Sequence, residues 1–104
     1  MKTTFVVRVI DKDRNTIGGY VRELDLPFVP TIGMRLNGGT STWLWETIDG
    51  KELRPQIKDI VYDIDEEEIL CLFEIDKFLA HGFWIKIKEE NLNNSLELSR
   101  FELH

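Results

Sequence analysis

Between Ile57 and Ile75 two apolar-alternating runs flank an acidic turn made of Asp63, Asp65, Glu66, Glu67 and Glu68. Successive side chains of a strand point to opposite faces, so period two marks pleated ribbon rather than helix. In the first run Ile60, Tyr62 and Ile64 share one face, with Ile57 and Val61 on the other. In the second, Ile69, Cys71, Phe73 and Ile75 oppose Leu70 and Leu72. Both faces of that second run are apolar, which predicts a central strand covered on both sides. No Lys or Arg lies between Lys58 and Lys77, while eight carboxylates do. The pattern is a hairpin with a greasy interior and dense negative charge at its tip and edges.

Other runs repeat the period. Thr4 to Ile10 reads as a first strand, with Phe5, Val7 and Val9 on one face. Asp11 to Asn15 is a polar turn, and Gly18-Gly19 marks a bulge or the end of a loop. Tyr20, Arg22, Leu24 and Leu26 then share a buried face, Arg22 snorkelling or lying near an end. Pro27 and Pro30 rule out regular structure from Leu26 to Gly33 and predict an ordered crossover over an open end of the core. Met34 to Leu36 reads as a short strand, and Asn37 to Thr42 as a Gly-, Ser- and Thr-rich loop. Trp43 to Ile48 alternates again before an Asp49-Gly50 turn, and Pro55 stops the polar return arm. Asp76 to Gly82 fits one helical turn. Phe83 to Lys88 is a further strand, with Phe83, Ile85 and Ile87 inward and Trp84, Lys86 and Lys88 outward. Leu96 to Leu103 is assigned as a strand, with a short helix as its rival.

Six to seven short strands, with at most one or two short helical turns, predict an all-β domain spanning residues 1–104. So short a chain favours a small, partly open antiparallel barrel over a sandwich. The order of Pro-rich loop, Gly33, short strand and long hairpin resembles SH3-like barrels in architecture only, and carries no function with it.

Charge narrows the partners. The net charge is −6, and the excess sits in residues 57–104, which hold twelve acidic against five basic groups. Nucleic acid phosphates and anionic lipids need Lys or Arg clusters, so neither is expected as a partner. A nucleic-acid-binding barrel would need a basic stripe from Arg8, Arg22, Arg35 and Lys51. Cys71 is the only cysteine and lies in the greasiest run, which predicts a buried inert thiol and excludes an internal disulfide. With no apolar leader and no membrane-length run, the expected compartment is the cytoplasm.

No constellation reaches a catalytic, cofactor or metal signature. Asp11, Asp13 and Asn15 open like a calcium loop, but Thr16 and Arg22 stand where Gly and a bidentate Glu belong. Asp63 and Asp65 share a face and Glu66 does not, so the acidic turn lacks a defined cation geometry. Cys71 and His81 have no third group to make them a nucleophile and base.

The leading expectation is a non-enzymatic protein-interaction module with an acidic face, of inhibitor or adaptor type, binding a basic partner. The candidate contact residues are Asp63, Asp65, Glu66, Glu67, Trp84 and Trp43. The carboxylates would steer association and an aromatic ring would anchor it. The competing reading of the Trp residues is rings lidding a small core. A small-molecule-binding or hydrolytic site under the 26–42 loops is the second expectation. Strand edges also leave room for a homo-oligomer.

Overall fold

The computed structural model describes residues 2–37, 44–80 and 82–101. Its strands are β1 (Lys2–Ile10), β2 (Thr16–Asp25), β3 (Asp59–Asp63), β4 (Glu68–Ile75) and β5 (Ile85–Lys86). A 3₁₀ turn at Glu89–Asn91 and a short helix, α1 (Leu96–Ser99), follow.

β1 and β2 form the hairpin expected from their alternation. The Asp11 carboxylate accepts the N–H groups of Asp13 and Asn15, each at 2.9 Å. Asp11 is a turn-former here, as the sequence implied. The register slips between Val9 and Ile10, which face Gly18 and Thr16. Ile17 is the extra residue of the bulge. A Cβ on Gly18 would stand 2.5 Å from the Phe78 ring, so glycine is what lets that ring settle on the sheet.

β3 and β4 form the second hairpin, and β4 lies parallel to β1. The sheet order is β3-β4-β1-β2-β5. The all-β class expected from the sequence is present, and the wholly antiparallel order expected with it is corrected. Among the described residues there are five strands in one open sheet, one pair of them parallel. Alternation reports which face a side chain takes and says nothing about which strand is its neighbour. The neighbour is decided by the 26–58 connection, which carries the chain from β2 to the far side of β1.

The described residues of that connection, 26–37 and 44–58, are irregular but bonded. Gly33 N–H donates to the Ile57 carbonyl at 2.8 Å and Ile57 N–H to the Met34 carbonyl at 2.9 Å. Met34 to Leu36 adds only an isolated bridge, Arg35 to Gln56. The Asp49-Gly50 turn is present, with Gly50 at φ 85°. Its return arm makes a single bridge, Glu46 to Glu52, before Pro55.

The sheet is covered on both faces. Phe5, Val7, Val9, Tyr20, Cys71 and Phe73 meet Leu44, Trp45, Ile57 and Leu79 on one side. Val6, Leu70 and Leu72 meet Leu92, Leu98 and Phe101 on the other. β4 is central and buried on both faces, as its composition required. Leu26, Met34 and Leu36 pack on the first core, while Phe28, Val29 and Ile32 are exposed.

Two local assignments fail. Residues 76–80 are a bent crossover, not a helical turn. Leu79 bridges Thr47, and Ala80 N–H donates to the Glu46 carbonyl at 2.9 Å. Burying Phe78 and Leu79 over the sheet commits that backbone to other segments; His81 lies outside the described residues. The C-terminal segment forms α1 rather than a strand. Leu98 and Phe101, three apart, lay one apolar side over Val6, Leu70 and Leu72.

Candidate functional site

The β3–β4 turn carries Asp63, Asp65, Glu66, Glu67 and Glu68, and its geometry sorts these carboxylates into two kinds. Asp63 and Glu68 are register partners that close the turn over residues 64–67. Glu66 N–H donates to Asp63 Oδ1 at 3.1 Å, and Glu67 takes φ 52° to complete the reversal.

At the base, the charges are neutralised. Glu68 is buried; it accepts from Thr4 Oγ1 at 2.9 Å and from Arg100 Nη1 at 2.6 Å, with Lys2 Nζ at 3.9 Å. Arg100 Nε also lies 3.3 Å from Asp63 Oδ2. Burial pushes the Glu68 carboxyl up, but the Arg100 and Thr4 hydrogen bonds and the nearby cations outweigh it and hold it below the ordinary value. Arg100 thus ties the end of the C-terminal segment to the root of the acidic turn.

At the tip, the charges are free. Asp65, Glu66 and Glu67 are exposed, and no described cation pairs with them. Beside them Tyr62 is 56% and Ile64 80% exposed. Of the predicted contact residues, Asp63, Asp65, Glu66 and Glu67 are brought together on one turn, with Asp63 bound into its base. Trp43 lies outside the described residues.

The predicted exposure of Trp84 is corrected. Trp84 is 5% exposed and its Nε1–H donates to the Leu44 carbonyl at 2.9 Å. Its ring centroid lies 5.1 Å from that of Trp45. Ile85, expected inward, is 61% exposed. The run is an edge strand of two residues, so alternation alone does not fix its phase. The first core takes the largest ring with a partner for its N–H, and Ile85 turns out with it. Trp84 therefore offers no ring to a partner; Tyr62 is the exposed aromatic at this end of the sheet.

A second cluster lies on the same sheet face. Glu74 receives Arg8, Arg14 and Lys58, with Arg14 Nη2 at 3.1 Å. Arg8 also donates through Nε to Thr16 Oγ1 at 2.6 Å and through Nη2 to the Arg14 carbonyl at 3.1 Å. Neither Glu68 nor Glu74 announces its partner in the sequence, because the contacts span 32 and 66 positions.

Cys71 is fully buried, and burial pushes its thiol up to about 11, so it carries no thiolate at neutral pH. Clefts of about 300 Å³ and 490 Å³ border the C-terminal segment; residues 26–37 line neither. Among the described residues no group of three or more His, Cys, Asp or Glu is placed to hold a metal ion, and no helix is long and apolar enough to cross a membrane. Comparison with protein-family models, curated proteins and solved structures gave no match.

Proposed function

We propose that this chain is a non-enzymatic, cytoplasmic interaction domain whose β3–β4 turn docks a basic protein. One observation carries the reading: Asp65, Glu66 and Glu67 stand exposed without cations on a turn whose base is locked by Arg100. Fixed charges of one sign raise the encounter rate with an opposite surface. Holding them on an ordered turn lowers the entropy lost on binding. Tyr62 supplies an exposed ring beside the charges, the residue type that anchors interfaces. A reduced, buried Cys71 suits the cytoplasm.

Capture from the native host with mass-spectrometric identification supplies the partner for the test. Asp65→Asn, Glu66→Gln and Glu67→Gln together are expected to slow association about tenfold at low salt and to flatten its salt dependence, leaving dissociation nearly unchanged. An unchanged association rate and salt slope would remove the reading.

A further inference from the structure

β3 is an edge of the sheet and pairs, among the described residues, with β4 alone. Lys58 N–H donates to the Leu72 carbonyl at 2.7 Å, although Leu72 is the register partner of Asp59. From that bulge onward, Asp59, Val61 and Asp63 turn their backbone toward β4, and Ile60 and Tyr62 turn theirs outward. Asp59 Oδ1 takes the Ile60 N–H at 2.9 Å. The Tyr62 N–H and the outward carbonyls of Ile60 and Tyr62 are left as a template for another strand.

The two faces of this edge differ in chemistry. Ile60 and Tyr62 lie on the face of the first core, and exposed Ile64 follows them at the start of the turn. Asp59 and Asp63 lie on the opposite face, and the free carboxylates Asp65, Glu66 and Glu67 stand beyond them at the tip. We infer that β3 accepts an added strand from a protein partner, an extended segment in which Lys or Arg alternates with apolar residues. The apolar side chains lie along Ile60, Tyr62 and Ile64, and the cations along Asp59 and the tip. Backbone pairing gives such a strand its hold and the alternate side chains its specificity. A second copy of this chain is disfavoured as occupant. Antiparallel pairing of two β3 strands about Val61 sets Asp59 against Asp63 twice, and like charges directly opposite destabilise a sheet.

This inference rests on the acidic-turn reading and deepens it, so the experiment separates them. The probe is an end-capped peptide of roughly ten residues alternating Lys and Val, the length of an ordinary strand. Its control is the same peptide with every backbone nitrogen methylated, which keeps charge and side chains and removes the donors. The alternating peptide is expected to bind and to slow exchange of the Tyr62 amide about tenfold. Methylation is expected to weaken binding about tenfold, the scale of one or two backbone hydrogen bonds. Tyr62→Pro, which removes the outward N–H together with the ring, is expected to weaken binding further than Tyr62→Thr, which removes the ring and keeps the N–H. If both peptides bind within twofold and the Tyr62 amide stays unprotected, strand addition is overturned and the charged docking surface stands. If neither binds, strand addition is overturned, and the charged docking surface is decided by the association rates of the triple variant. Protection of the Tyr62 amide that grows with protein concentration in the absence of peptide would make the occupant a second copy and overturn the inference.

Discussion

Glu67 and Glu68 are adjacent in the chain and have opposite fates. Glu67 is exposed at the tip, while Glu68 is buried between Thr4 and Arg100. Nothing local separates them; the difference is the strand register, which turns one side chain outward and the other onto the sheet. Cys71 shows the reverse case, in which local composition was enough. Its neighbours are all large apolar residues, and the fold buries it completely. The thiol is therefore expected to resist a thiol-specific reagent in the native protein and to react on unfolding in denaturant. Rapid native-state labelling would show that β4 is not the closed central strand described above. Trp84 was not legible in the same way. Period two places it beside two lysines, but the decision lay with Phe5, Trp45 and the Leu44 carbonyl, which the sequence does not place near it.

At the scale of elements, β1, β2 and the β3–β4 hairpin were legible because each buries a face by alternation, a property of consecutive residues. The C-terminal segment was not, because α1 is a single turn with little helical stability of its own. It holds by docking Leu92, Leu98 and Phe101 on the second sheet face and by Arg100 on the acidic turn. Leu98→Ala is expected to cost about 2–5 kcal/mol in denaturant unfolding. Leu96→Ala, on the exposed side of the same turn, is expected to stay within about 0.5 kcal/mol. Equal costs at the two positions would show that the segment does not cover Val6, Leu70 and Leu72. The bonds of 26–58 were also beyond local reading. The prolines and Gly33 forbid regular structure there, but only the folded sheet supplies the surface on which Trp45 and Ile57 pack.

Across the whole molecule, acid sensitivity is expected from two ion-paired carboxylates, Glu68 buried and Glu74 partly buried. Burial pushes the Glu74 carboxyl up, yet the Lys58 hydrogen bond and the charges of Lys58, Arg8 and Arg14 outweigh it, so it ends below the ordinary value of 4.5. Glu68 is lowered from the same value for the reasons given above. A carboxyl lowered on folding contributes its full stability above the unfolded pKa and loses it as pH falls through the folded one. The melting temperature is therefore expected to hold between about pH 7 and 5.5 and to drop below about pH 4.5. The double variant Glu68→Gln, Glu74→Gln should melt lower at neutral pH and fall less steeply in acid. An acid slope identical to that of the parent chain would assign the loss to other carboxylates.

The sequence by itself determined that the chain forms strands, which face of each strand is apolar, and that negative charge gathers at one hairpin tip. Those are properties of near neighbours, set by the pleat and by composition. Only the tertiary structure decided that β4 lies parallel to β1, that the sheet stays open with β3 at its edge, and which carboxylates are neutralised. Each of those depends on pairing residues tens of positions apart, where the hydrophobic effect asks for burial but not for a particular partner.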